Sequence, residues 1–132
     1  MAREHRHLKS CHSTNDVAKT WALAGARHGD WLTCDAQDAG RGRMGRIWEG
    51  TPGGLFLSMV LRPEGSEFVT WLPLAVAVGV SRGLRELFPA LPLRIKWPND
   101  LWVGGKKLGG ILCEASGTVT GSFVIAGLGL NC

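Results

Sequence analysis

The stretch from Gln37 to Trp48, Gln-Asp-Ala-Gly-Arg-Gly-Arg-Met-Gly-Arg-Ile-Trp, is the segment that most constrains this chain. Gly40, Gly42 and Gly45 stand among Arg41, Arg43 and Arg46, and the run closes on an aromatic ring. The glycines let the backbone turn tightly and approach a ligand closely. The arginines carry planar, permanently charged forks that suit phosphate and carboxylate. The segment predicts a mobile, cationic loop that folds over an anionic ligand. Its bland alternative is a solvated basic loop between two strands.

Gly40-x-Gly42-x-x-Gly45 also satisfies the dinucleotide fingerprint as a pattern, but its context is wrong. That fingerprint needs a preceding strand, a helix straight after it and an acidic residue about 20 positions on. A short apolar stretch, Trp31 to Cys34, does precede it. On its other side stands Trp48-Glu-Gly-Thr-Pro-Gly-Gly54, which cannot start a helix. The arginines would also crowd the close approach to a pyrophosphate.

The rest of the chain frames this loop. Ser13-Thr-Asn-Asp16 reads as a helix start, with Ser13 as cap and Asp16 as the acidic partner of a capping box. Val17, Trp21 and Ala24 then share a face at helical spacing, and Gly25 or Gly29 ends the helix. Trp31 to Ala36 reads as the strand entering the loop, and Leu55 to Leu61 as the strand leaving it. Thr70 to Phe88 is the main helix, with Pro73 in its first turn and Leu74, Val78, Leu84 and Leu87 on its apolar face. Strand-like runs come next at Leu93 to Trp97, Lys106 to Ala115 and Ser122 to Leu130, the last two as a hairpin. Turns at Pro98-Asn-Asp100, Gly104-Gly105 and Gly117 to Gly121 separate them. The pattern predicts an α+β fold: a mixed, largely antiparallel sheet backed by two helices.

At 132 residues the chain reads as one domain. Its net charge of +4 fits an anionic ligand, an acidic protein or nucleic acid without choosing among them. Cys11, Cys34, Cys113 and Cys132 form no CxxC pair, which argues against structural zinc. His5, His7, Cys11 and His12 could hold a metal, but their irregular spacing favours a frayed polar terminus. Four cysteines without a signal peptide suggest reduced thiols in a cytoplasm. The longest apolar candidate for a membrane span, Trp71 to Val80, is too short for the ~20 residues required.

Four motifs lie in order on this framework: Ser13-Thr-Asn15; Gln37-x-x-Gly-Arg-Gly-Arg43; Lys96-Trp-Pro-Asn-Asp100 with Lys107-Leu-Gly-Gly-Ile-Leu112; and Gly127-Leu-Gly-Leu-Asn131. Together they resemble the catalytic domain of biotin protein ligases from about Leu8 onward. The resemblance implies the fold shared with class II aminoacyl-tRNA synthetases and lipoate ligases. It implies a two-step reaction: biotin and MgATP give biotinyl-5′-adenylate, and biotin then passes to a lysine of biotin carboxyl carrier protein. Lys107 is implied as the cation reaching carboxylate and phosphate, with Arg41, Arg43 and Arg46 closing over the phosphates and Trp48 walling the site. Ser13, Thr14 and Gln37 are implied partners of the ureido ring, with backbone groups near Lys107 to Leu112, and Gly40 and Arg41 are implied as further biotin contacts. Gly110, Gly127 and Gly129 would let strands approach the ligand, and otherwise mark bulges. Asn99 and Asn131 are implied nucleotide contacts. Asp100 would stand near the acceptor lysine, which must shed a proton. Mg2+ would arrive on ATP rather than at a protein metal site.

Family members continue past the position of Asn131 and usually carry a small SH3-like domain, so the chain is expected to be C-terminally incomplete. No N-terminal helix-turn-helix is expected either. An unpaired sheet edge and exposed apolar surface would favour self-association as a homodimer. Three alternatives stand beside the ligase: a lipoate or octanoate ligase of the same fold, an inactive biotin-binding fragment, and a non-catalytic nucleic-acid-binding module. The resemblance itself implies neither a nucleic-acid nor a membrane partner.

Overall fold

Residues 2–118 and 121–132, described by a computed structural model, build one sheet and two helices. In chain order the elements are β1 (His5–Cys11), α1 (Thr14–Leu23), β2 (Trp31–Gln37), β3 (Leu55–Leu61), α2 (Leu72–Leu87), β4 (Leu93–Lys96), β5 (Asp100–Val103), β6 (Lys106–Thr118) and β7 (Gly121–Leu130). The strand order is β1-β2-β3-β7-β6-β5-β4. β1 runs parallel to β2, and the remaining neighbours are antiparallel. The predicted mixed, largely antiparallel sheet is therefore present.

Strand parity decides which helix covers which residues. Successive side chains of a strand point to opposite faces. On β3, Phe56, Ser58 and Val60 are buried while Leu57, Met59 and Leu61 are half-buried. On β7 one core cluster takes Phe123 and Ile125, together with Val60, Leu32 and the α1 residues Ala18, Trp21 and Ala22. The other takes Leu128 and Leu130, together with Leu93, Leu101 and the α2 residues Val80 and Leu84. Residues 123 and 125 differ in parity from 128 and 130, so α1 and α2 lie on opposite faces. Burying side chains such as Phe123 and Ile125 contributes about 1.5–3 kcal/mol each.

Several boundaries and faces differ from the sequence expectations. The N-terminus is not frayed: it is the edge strand β1, where His5 and His7 both bond the Thr33 hydroxyl, at 3.0 and 2.9 Å. α1 turns Ala18, Trp21 and Ala22 inward, while Ala24 is exposed and Val17 half-buried. Ser13 makes no side-chain cap bond, so the capping box is absent. Gly25, with φ of 105°, ends the helix as expected, and the Arg62 guanidinium donates to the carbonyls of Ala22 and Ala26, both at 2.8 Å. α2 begins at Leu72, after a 3-10 turn over Ser66–Trp71. It turns Ala77 and Ser81 to the sheet, and Leu87 is 73% exposed. Its first turns are apolar all round, so spacing could not choose the face.

The turn and helix together form a run of 22 residues, Ser66–Leu87, whose most apolar stretch of 18 residues has mean hydropathy 1.2. By length and composition alone it is long enough to cross a membrane, which corrects the sequence estimate based on contiguous apolar residues. β5 has no counterpart among the expected strands, because Pro98-Asn-Asp100 reads as a turn and the strand is only four residues long. β4 ends at Lys96 rather than Trp97, and β6 extends to Thr118. Gly104 and Gly105, with φ of 56° and 76°, make the β5–β6 turn in the left-handed region that glycine tolerates.

All four cysteines are free thiols. Burial, then the neighbouring Cys34, pushes the Cys11 thiol up to about 12, and burial pushes Cys113 up to about 11. Thiolate is the reacting species, so brief iodoacetamide treatment should modify exposed Cys132 first. Peptide mass spectrometry showing Cys11 or Cys113 alkylated ahead of Cys132 would contradict this ordering.

Candidate functional site

Three glycines leave room for a cleft on the α1 face of the sheet. Gly127 and Gly129 on β7 share the parity of Ile125, and Gly110 on β6 pairs with Gly129. No side chain rises from these positions, so neighbouring groups fill or border the space. A Cβ on Gly129 would sit 2.6 Å from Trp48 Nε1, and one on Gly127 would collide with the Asn15 amide. The resulting cleft has a volume of about 450 Å3.

One wall is the arginine-glycine loop, which has more order than its composition suggests. Gly42 N–H donates to Arg46 C=O at 2.7 Å, and Trp48 N–H to Gly40 C=O at 2.9 Å. Gln37 N–H donates to Gly50 C=O at 2.9 Å, closing the base. The loop is thus a hairpin-like strap, with a 3-10 turn at Arg43–Gly45. At its tip Met44 has φ of 58° and is 89% exposed. That is the left-handed region, uncommon for a residue with a Cβ.

The floor at the N-terminus of α1 is a polar network. Thr14 N–H donates to Gln37 Oε1 at 2.7 Å, so a side chain 23 residues on satisfies the first of the open helix-start donors. Ser58, fully buried on β3, donates to Asn15 Oδ1 at 2.6 Å and lies 2.8 Å from the Thr14 hydroxyl. Asn15 Nδ2 donates to Glu114 Oε1 at 2.8 Å and to Leu112 C=O at 3.3 Å. Every member is bonded, as a buried polar cluster requires.

The opposite wall comes from β4 to β6. Asn99, 8% exposed, donates through Nδ2 to Ile111 C=O at 2.7 Å and accepts from Arg43 across the cleft at 3.5 Å. Lys107 Nζ stands 3.2 Å from Asp100 Oδ1 and 5.1 Å from the centre of the Trp48 ring. Lys96 Nζ lies 4.5 Å from the Trp102 ring. Arg41 donates to Asp16 at 2.9 Å and to Glu114 at 2.8 Å. Burial opposes its charge, but the bonds to Glu114 and Asp16 outweigh that and raise its pKa further above the ordinary arginine value. Among the described residues the cleft is lined by Arg41, Arg43, Arg46, Lys96 and Lys107 against the single carboxylate of Asp100. Such a surplus suits an anionic ligand. Trp48 Nε1 is buried without a hydrogen-bond partner among the described residues.

Ser13, Thr14, Gln37, Arg41, Arg43, Arg46, Trp48, Asn99, Asp100, Lys107, Gly110, Leu112, Gly127 and Gly129 all line this one cleft. Gly40 and Asn131 do not. Gly40 is buried beneath the strap, with Trp48 C=O where a Cβ would stand. Asn131 is exposed, and its N–H donates to Leu108 C=O at 2.7 Å. Sequence reasoning gives no role to Met44 or Ile47 and none to Asn15, Trp97, Pro98 or Leu128 beyond a place in a motif, and it holds Lys96 only as the second candidate for the catalytic cation; all line the cleft. It also misses Glu114. Strand period would have found it, because Gly110, Leu112 and Glu114 alternate onto one face of β6.

A model of the biotin/lipoate A/B protein ligase family matches residues 8–131. The chain is 41% identical over 109 residues to the biotin–[acetyl-CoA-carboxylase] ligase of Paracoccus denitrificans, covering 76% of this chain and 43% of that one. Biotin protein ligase from Leishmania major in complex with biotinyl-5-AMP matches with a TM-score of 0.87 and 28% identity, over 99% of this chain and 58% of that chain. Biotin protein ligase from Aquifex aeolicus in complex with biotin and ATP matches with a TM-score of 0.84 and 36% identity, over 98% and 53%. The chain spans about half the length of these proteins.

Proposed function

Because the chain belongs to the biotin/lipoate A/B protein ligase family, we propose that its cleft is the biotin-activating site of a biotin protein ligase acting in the cytoplasm. The first step joins two anions. A carboxylate oxygen of biotin attacks the α-phosphorus of ATP, the bond to the oxygen bridging to the β-phosphate breaks, and pyrophosphate leaves. Mg2+ enters on the ATP phosphates as part of that substrate. In the second step a lysine amine of biotin carboxyl carrier protein attacks the acyl carbon, AMP leaves, and the amine gives up a proton.

The observation that carries this reading is the setting of Lys107, whose ammonium lies between Asp100 and the Trp48 ring in a cleft rimmed by Arg43 and Arg46. A compact cation there can bridge carboxylate and phosphate as they converge. Asp100, its partner in the free protein, is released when a substrate anion takes its place and can then receive the acceptor proton. Thr14, Gln37 and Ser13 contribute fixed polar groups for the ureido ring. Gln37 uses Oε1 on Thr14 N–H and keeps its amide protons for a ligand carbonyl. Gly110, Gly127 and Gly129 admit the ring between the strands. Asn99, held by Ile111, orients Arg43 toward the nucleotide.

Calorimetric titration tests the assignment. Biotin should bind 1:1, and Gln37→Ala should weaken it by about 1–3 kcal/mol through loss of a buried polar partner. Lipoate and an oligonucleotide serve as competing ligands. Tight lipoate binding without biotin binding would transfer the cleft to lipoate ligation, and oligonucleotide binding alone would remove it from ligation altogether.

A further inference from the structure

We propose that Glu114 and Asp16 form a carboxylate clamp on Arg41 that fixes the root of the strap, which makes Glu114 a positioning residue for adenylate formation. The inference rests on the reading of the cleft given above and changes the part played by Arg41. By composition all three strap arginines are equivalent candidates for phosphate. In the folded chain they are not. Arg41 spends Nη1 on Asp16 of α1 and Nη2 on Glu114 of β6. A guanidinium held by two carboxylates through separate nitrogens has its plane fixed as well as its position.

Glu114 does a second thing with the same oxygen. Oε1 accepts from Arg41 Nη2 and from Asn15 Nδ2, each at 2.8 Å. Asn15 lies over Gly127 and receives the Ser58 hydroxyl. One carboxylate oxygen therefore ties the strap to the floor of the cleft. Arg41 also faces Ile47 across the strap as an isolated bridge, so its anchorage sets where the returning half, with Trp48, begins.

Simple stability does not explain this arrangement. The side chains of Arg41, Glu114 and Asp16 are 37%, 40% and 54% exposed, and ion pairs so exposed add little to global stability. What they do is fix geometry among α1, β6 and the strap. Arg43 and Arg46 then remain for the nucleotide, carried on a strap whose base does not drift.

The test begins without ligand. Amide hydrogen exchange of Gly42 and Trp48, the donors that join the two halves of the strap, should quicken on the order of tenfold in Glu114→Ala, with little change in melting temperature. Arg41→Ala should do the same, and the double variant should fall short of the sum of the two single effects, since both changes break the Arg41–Glu114 contact. Glu114→Gln keeps an acceptor for both donors and should recover most of the protection. With biotin and MgATP, pyrophosphate release should fall in Glu114→Ala and return in Glu114→Gln. Unchanged exchange in Glu114→Ala, or additive effects in the double variant, would overturn the clamp. If the parent chain fails to bind biotin, the ligase reading fails, and the exchange measurements still decide whether the clamp exists.

Discussion

Replacing Lys107 with alanine is expected to slow pyrophosphate release by about 10²–10³-fold, the usual cost of removing one electrostatic group from a closed site. Biotin affinity should change much less. The polar groups proposed for the ureido ring lie at the α1 end of the cleft, on Thr14 and Gln37, whereas Lys107 stands on β6 beside Asp100. The charge this lysine offsets grows as carboxylate and phosphate converge, so its loss falls on the chemical step more than on binding. Its removal also leaves the Asp100 carboxylate without its 3.2 Å partner, adding repulsion toward ATP. Lys107→Ala with Asp100→Asn should therefore recover part of the loss and none of the specific bridging. A longer chain, extended to the length of the relatives, is needed if the 132 residues are inactive by themselves. Pyrophosphate release at the parental rate in Lys107→Ala would move the catalytic cation to Lys96, the other lysine lining the cleft.

How much of this is legible in the sequence depends on whether the signal is local. β3 is readable with its bounds intact, because Phe56, Ser58 and Val60 alternate with residues facing the other way and turn-forming residues flank them. The mixed sheet backed by helices, matched by biotin protein ligase structures, comes from the same kind of pattern. β1 escapes notice because an edge strand rich in His, Arg and Lys buries almost nothing and carries no alternation. α1 can be located, but not what starts it: the Thr14 N–H partner is Gln37, on the next strand. No local window contains that contact. In the cleft, the residue types and their order are enough to bring together Lys107, Asp100, the strap and the three glycines. They cannot show that Arg41 is already engaged, because Asp16 and Glu114 meet it only after β6 crosses the sheet.

Ligand should protect the strap from trypsin by a factor set by its own concentration. In the free protein the strap is held internally by three backbone bonds, from Gly42, Arg46 and Trp48. Its tip is exposed at Met44 and at Ile47, 89% and 87%, around Gly45 at φ of 73°. Such a segment opens at low cost, and trypsin cuts whatever opens. Arg43 and Arg46 should be cut readily and Arg41 more slowly, because its guanidinium is paired with Asp16 and Glu114. A biotinyl-adenylate analogue that binds only the closed strap stabilises it by RT ln(1 + [L]/Kd). At 100 times Kd that is about 2.7 kcal/mol, or a cleavage rate about 100-fold lower. Biotin alone should protect less, since it offers Arg43 and Arg46 no phosphate. Peptide mapping of timed digests reads all three sites at once. Equal rates with and without the analogue would mean that the strap does not close on the ligand, and that its arginines hold the phosphates no more firmly than a solvated basic loop would.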